Sequence, residues 1–295
     1  MVQSNSLYRR FYRVFGYPLQ ALAAVIIYGF YAILPLKVAS SIGGWVGRTI
    51  GPHLNYHRRA IASIKRAFPH YSETVLNKTA TEMWDNLGRV LAELPHLERI
   101  SKEHLEIVGE ENIAEVKKNG VSCIFFSGHF ANWELFTRAN KKIGISYAQA
   151  YRAPNNQFID AMLKRIRNLK ADDIIPKGQK GARAAIQALN SGRSIAMLVD
   201  QKMNDGIPVI FFGRNAMTAP ALAQLSIRFN CPAIPARLER VKGCQFRLSF
   251  YPPLNIPDNK KVETMMKNVN NIFEEWISDR PGQWLCWLHR RWPED

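Results

Sequence analysis

The pattern of apolar and polar positions divides the chain into three stretches. From Val14 to Leu36 no residue carries a formal charge, and the run VFGYPLQALAAVIIYGFYAILPL is moderately apolar, with Gly16, Gln20 and Gly29 inside it. At 1.5 Å per residue a helix of that length reaches across a ~30 Å hydrocarbon layer. Residues 38–68 then read as helix, closed by Pro69, and residues 72–94 repeat apolar positions with a period near 3.6 (Val75, Leu76, Ala80, Met83, Trp84, Leu87, Val90, Leu91) up to Pro95. After residue 104 the period alternates. Short apolar runs that read as strands (104–109, 121–126, 145–151, the stretch ADDIIP, 194–200, CPAIPARLERV and CQFRLSFYPPL) are separated by amphipathic helices, with Gly120 and Gly192 as stops and Thr218 as an expected N-cap. Strands alternating with helices of this length predict an α/β fold: a single globular domain with a mixed, largely parallel central sheet flanked by helices. We divide the chain into an N-terminal membrane-anchoring segment, 1–37, and a globular domain, 38–295.

Charge changes the picture. Forty Lys and Arg against 24 Asp and Glu leave a net charge of +16, a surface that attracts anionic lipid, phosphorylated substrates, acidic proteins or nucleic acid. No nucleic-acid-binding motif accompanies it, so nucleic acid is not an expected partner. The uncharged N-terminal stretch is flanked by Arg9, Arg10 and Arg13 before it and by Lys37, Arg48, Arg58 and Arg59 after it, so charge alone does not orient it. It reads as a spanning helix, as a helix lying in one leaflet or docked on the domain, or as a cleaved signal peptide. Cys123, Cys231, Cys244 and Cys286 are scattered, without metal-ligand spacing, and read as reduced core thiols. No zinc, Walker A or dinucleotide motif is found, and no metal or cofactor is expected.

The candidate chemistry lies in FFSGHFANWELF, residues 125–136. An apolar strand runs into Ser-Gly-His, which places His129 at a strand's carboxyl end, where open α/β sheets hold their ligands. Glu134 follows at the start of a helix. An imidazole fixed by a carboxylate serves to take a proton from a hydroxyl. By spacing alone two readings stand: this pair, or a structural histidine near a helix start followed by a solvated acid. Arg152, after the next strand, suits a phosphate or an acyl carbonyl. Asp200, with Gln201 beside it, ends another strand and suits substrate hydroxyls or the positioning of Arg152. His289 in the tail and Cys123 in its strand are weaker rivals for base and nucleophile.

Four ordered blocks carry a resemblance. SGHFANWEL resembles the H-x4-D/E signature of the glycerolipid acyltransferase superfamily, in the form His-Phe…Glu of the late lipid A acyltransferases. YRAPNN (151–156), GRSIAMLVDQ (192–201) followed by VIFFGRNAMTAPALAQL (209–225), and GQWLCWLHRRW (282–292) resemble further blocks of that lauroyl/myristoyl transferase branch. The resemblance implies a membrane-associated O-acyltransferase with His129 and Glu134 as the catalytic pair and Arg152, Asp200 and Gln201 at the substrate. It implies an acyl carrier protein as donor, a phosphorylated glycolipid as acceptor and the anionic leaflet of the inner membrane as location; the reduced thiols and the basic residues after the uncharged stretch fit a cytoplasmic catalytic domain. Transfer to another glycolipid or a lysophospholipid, from acyl carrier protein or acyl-CoA, remains the neighbouring alternative, and a basic, non-enzymatic lipid binder the alternative of another class.

Overall fold

The computed structural model of the chain describes residues 12–258 and 261–292. Arg9 and Arg10 lie outside the described residues. The uncharged stretch forms helix α1 (Tyr17–Ile33), preceded by a wide turn over Tyr12–Gly16 and ended before Pro35. Among the described residues it belongs to the one helix long and apolar enough to cross a membrane, Tyr12–Ile33. Leu19, Leu22, Val25, Ile26, Ile27, Phe30 and Ile33 all stand exposed on it.

The helical region predicted over 38–68 is two helices, α2 (Leu36–Ile50) and α3 (Asn55–Ala67), joined by a tight turn at Gly51–His53. Against them lies α4 (Glu73–Glu93), capped by Ser72, whose hydroxyl accepts the N–H of Val75. The α2–α4 crossing is close because it is built on glycine. A Cβ at Gly43 would stand 2.4 Å from the carbonyl oxygen of Gly88, a distance that no other residue tolerates.

The sheet region follows as α5 (Leu97–Glu103), β1 (Leu105–Val108), α6 (Ala114–Asn119), β2 (Ile124–Ser127), α7 (Phe136–Ile143), β3 (Tyr147–Ala150), α8 (Gln157–Arg167), β4 (Ile174–Ile175), α9 (Gln179–Asn190) and β5 (Ser194–Leu198). It ends with β6 (Lys202–Phe211), β7 (Arg214–Thr218), α10 (Ala221–Phe229), β8 (Ala233–Lys242), β9 (Gln245–Phe250) and α11 (Val262–Asp279). Seven strands form one sheet in the order β1-β9-β8-β2-β5-β3-β4. Every neighbouring pair is parallel except β8–β9, so the sheet is mixed and largely parallel as predicted.

Its central strand is buried on both faces, which is why it reads as an uninterrupted apolar run. Ile124 and Phe126 point into one core, with Ile64, Leu76, Met83, Leu222, Met266 and Phe273 from helices on that side. Cys123 and Phe125 point into the other, with Ile100, Val116, Leu135, Ala139 and Ile166. The layers are therefore helix, sheet, helix.

Two local expectations differ. Residues 202–218, to which the sequence pattern assigns no strand, form the β6–β7 hairpin, with Phe212 and Gly213 at its tip in the left-handed region. Phe212 tolerates this because its N–H is held by Glu274 Oε1 at 2.7 Å. Thr218 is not an N-cap. It ends β7, donates its hydroxyl to the carbonyl of Ala216 and accepts from Arg291, while Pro220 precedes α10.

Candidate active site

β2 and β5 run side by side and parallel, with Ser127 opposite Leu198. The ladder continues one step further, where the Val199 N–H meets the Ser127 carbonyl at 3.0 Å. Two residues past the paired ends, this register sets His129 level with Asp200. The ring Nδ1 is 2.8 Å from Asp200 Oδ1, and the backbone N–H of His129 donates to Oδ2 at 2.7 Å. An ionised carboxylate only accepts, so Nδ1 carries the proton and the Nε2 lone pair points away from Asp200. At Nε2 stands the side-chain amide of Gln201, 3.3 Å away.

The carboxylate that braces the imidazole is thus Asp200 and not Glu134. Glu134 is 5 % exposed and is held elsewhere. Arg167, at the end of α8, forks onto both of its oxygens at 2.6 Å, and the indole N–H of Trp133 donates to Oε1 at 3.0 Å. The reason is local geometry. Ala131 turns the chain with φ +47° and a short 3-10 turn covers Trp133–Leu135, so residue 134 leaves toward α8 while residue 129 faces β5. Trp133 stands between them, its ring centroid 5.4 Å from that of His129. Glu134 still acts on the imidazole through space.

Electrostatics follow from this arrangement. Burial acts to lower the pKa of His129, but the charge and hydrogen bond of Asp200, aided by Glu134 and opposed by Arg167, leave it above its ordinary 6.5. Burial acts to raise Asp200, but the His129 ring, its backbone N–H and Trp284 hold the carboxyl well below the usual range.

Asp200 is 1 % exposed. Besides His129 it accepts the indole N–H of Trp284 at 2.8 Å and the thiol of Cys286 at 3.2 Å, both on Oδ2. The ligand atoms of His129, Asp200 and Cys286 lie within 4.8 Å of one another, a spacing a metal ion would accept. Burial beside Asp200 pushes the Cys286 thiol well above its ordinary pKa, so it remains S–H and donates. These groups face one another as donors and acceptor, a hydrogen-bonded cluster around one anion.

The remaining expected residues gather at the same edge. β3 lies beside β5 and parallel to it, so Arg152, two residues past its end, emerges at the same edge of the sheet. It is exposed. His289 reaches the other side of Gln201, 3.5 Å from its amide. Partial desolvation lowers its pKa, aided by His129, Arg152 and Arg59 and opposed by Asp200. Cys123 is buried, with its thiol pushed up to about 12, and takes no part. Sequence reading missed the contributions of Arg167, Trp284 and Cys286, and also the partnership of Asp200 with His129. The sign that pointed to the last was the presence of two polar residues, His129 and Asp200, each just past an apolar strand.

Gly128 is required where the carboxylate crosses the chain. A Cβ there would meet Asp200 Oδ2 at 2.9 Å and the Phe130 ring at 2.6 Å. Gly128→Ala must displace Asp200 from beneath His129, and a fall in kcat of about 10–100-fold is the expected result, since small misplacements at a reacting centre cost that much. Steady-state rates on folded protein, checked by circular dichroism, measure it.

The family model of the bacterial lipid A biosynthesis acyltransferases matches residues 10–294. A lipid A biosynthesis acyltransferase of Haemophilus influenzae (strain ATCC 51907 / DSM 11121 / KW20 / Rd) is 23% identical over 269 residues, 87% of this chain and 82% of that protein. The crystal structure of the 1-acyl-sn-glycerophosphate (LPA) acyltransferase PlsC from Thermotoga maritima covers 82% of this chain and 98% of that one, at 12% identity and a TM-score of 0.39.

Proposed function

The chain belongs to the bacterial lipid A biosynthesis acyltransferases, and on that footing we propose that it moves a fatty acyl group from an acyl carrier protein thioester to a hydroxyl of a phosphorylated lipid A precursor, with His129 as general base. One observation carries this reading. The Nδ1–H of His129 is spent on Asp200, which leaves Nε2 as a basic lone pair at the carboxyl edge of the sheet.

The acceptor hydroxyl displaces the Gln201 amide at Nε2 and gives up its proton as its oxygen attacks the thioester carbonyl. Asp200 fixes the tautomer and stabilises the imidazolium that forms. The tetrahedral oxyanion collapses, the C–S bond breaks, and the imidazolium returns its proton to the leaving thiolate. No protein nucleophile is needed, because the attacking group belongs to the substrate. Glu134 adds a smaller negative field on the imidazole, partly offset by its partner Arg167. Arg152 is the group for a phosphate or the developing oxyanion. Gln201, beside Nε2, is the group for the acceptor hydroxyl.

Residues 1–37 serve as the membrane anchor of an acyltransferase domain, 38–295. The exposed apolar side chains of α1 support this, as does the +16 charge, which suits an anionic cytoplasmic leaflet, an acidic carrier protein and a phosphorylated acceptor alike.

The purified protein, given acyl carrier protein and CoA thioesters of mixed length, a phosphorylated glucosamine disaccharide lipid and a lysophospholipid, tests the assignment by product mass. The expected result is a mass increase of one acyl group on the glycolipid, drawn from the carrier thioester. Acylation of the lysophospholipid alone would sink it, and transfer from CoA alone would replace the donor.

A further inference from the structure

The C-terminal segment after α11 reaches the Asp200 carboxylate beneath the His129 ring. Its backbone is tied to the loop that carries the imidazole. The Leu285 N–H donates to the His129 carbonyl at 3.0 Å, the Ala131 N–H to the Gln283 carbonyl at 2.9 Å, and Phe130 and Trp284 form an antiparallel bridge. Its side chains reach the carboxylate beneath the ring. Of the four donors to Asp200, two come from His129 itself and two from this segment, 84 and 86 residues further along the chain.

Trp284 is the stronger of the two. It is fully buried, and its indole has a single N–H, which is given to Oδ2 at 2.8 Å. With the backbone N–H of His129 on the same oxygen at 2.7 Å, Oδ2 is pinned. Rotation about the carboxylate is then stopped with Oδ1 facing Nδ1. We propose that Trp284 is a positioning residue of the transferase site: its indole N–H fixes Asp200, and through Asp200 it sets the orientation and basicity of the His129 ring. This rests on His129 acting as the base, as proposed above, and goes beyond it by assigning a role to a residue that never meets substrate.

The sign of the effect follows from charge. The N–H dipole puts its positive end on Asp200 and offsets part of that anion's field. Without it, the imidazolium faces a less compensated carboxylate and is favoured further. The other groups around the ring are Cys286 beside Asp200, Arg291 acting on Asp200, Glu134 and Arg167 beyond Trp133, and His289 across Gln201. None of them changes when the indole is replaced by a phenyl ring.

Trp284→Phe keeps most of the buried ring and deletes the N–H. We expect kcat to fall about 10-fold, in line with the modest misplacement of a catalytic group. KM should be unchanged, and the acid limb of the kcat/KM profile should move to higher pH. Trp287→Phe is the matched control. Trp287 is equally buried in the same segment, but its N–H goes to the Pro281 carbonyl at 2.8 Å, so its substitution perturbs packing without shifting that limb. The His129 ring, titrated by NMR in the free protein, should show the same upward shift in Trp284→Phe and none in Trp287→Phe.

The wild-type protein supplies a measurement that needs no variant to fold: the Trp284 indole N–H resonance should move with pH at the midpoint of His129. A flat indole resonance, or a Trp284→Phe ring midpoint equal to wild type, overturns the proposal. The NMR readout involves no turnover, so it separates this coupling from the general-base reading. If His129→Ala retained full transfer while the ring midpoint still followed Trp284, the positioning would stand and the base assignment would fall.

Discussion

His129→Ala lowers acyl transfer by at least ~10²–10⁴-fold, the usual worth of a general base, and Asp200→Asn falls in the same range. The second effect is the more informative. An amide beneath the ring either presents its oxygen to Nδ1, and then its NH2 faces the indole of Trp284 and the backbone N–H of His129, or turns its NH2 to Nδ1 and moves the ring proton to Nε2. The first arrangement sets donor against donor in a buried place. The second removes the base. In the Ser-His-Asp triad the corresponding change costs about 10⁴ in kcat. The double variant should be no slower than His129→Ala alone, because residues acting as a unit are not additive. Single-turnover rates at saturating donor measure all three. Wild-type transfer by His129→Ala would remove the mechanism. A fully active Asp200→Asn beside an inactive Glu134→Gln would return the brace to Glu134.

The same pair sets the pH dependence. His129 must be neutral to accept a proton, and its pKa lies above 6.5, so kcat/KM should rise with pH along an acid limb centred above that value. Stability runs otherwise. A raised histidine contributes stability that is complete below 6.5 and lost as pH rises through its folded value. The depressed Asp200 contributes above its ordinary 3.8 and loses its share as pH falls toward its folded value. The pair therefore stabilises the fold most between these two ordinary values, below the pH at which it works best as a catalyst.

The largest expected effect on stability lies beneath the loop rather than in it. Glu93, fully buried at the end of α4, takes both oxygens' worth of bonds from Arg240 on β8, at 2.6 and 3.0 Å. The same carboxylate accepts from Ser40 at 2.7 Å and from Asn132 at 2.8 Å. Arg240 also donates to Asn86, whose amide in turn holds the Ala131 carbonyl. Arg240→Met leaves a buried carboxylate without its cation. Breaking a buried pair in this way costs about 3–5 kcal/mol, a fall in melting temperature on the order of 10 °C for a chain of this size. Because Ala131 and Asn132 belong to the turn after His129, kcat should fall as well at temperatures where the variant remains folded. Thermal unfolding followed by circular dichroism decides it, and a melting temperature within a degree or two of wild type would show that the network contributes little. Replacing Glu93 by Leu in the same chain should recover only part of the loss, since Ser40 and Asn132 then lack their acceptor.

Much of this molecule is written locally. The period of 3.6 over residues 72–94 makes α4, and the uninterrupted apolar runs around Phe125 and Ile195 make strands buried on both faces, because periodicity and burial depend only on neighbours along the chain. The positions of His129, Arg152 and Asp200, each just past a strand, were legible for the same reason: parallel strands put their carboxyl ends on one edge. Which strands are adjacent was not legible. The order β2-β5-β3 arises from packing across the whole sheet, and it alone makes Asp200 rather than the nearby Glu134 the partner of His129. Spacing along the chain favoured Glu134, but a left-handed turn at Ala131 and the fork of Arg167 carry that carboxylate to another wall. Residues 284 and 286 lie more than 150 positions from His129, and although they fall in the block GQWLCWLHRRW, nothing in that pattern says that they meet Asp200. Their place under the ring was decided by tertiary structure, where a buried anion gathers whatever donors the fold can bring to it.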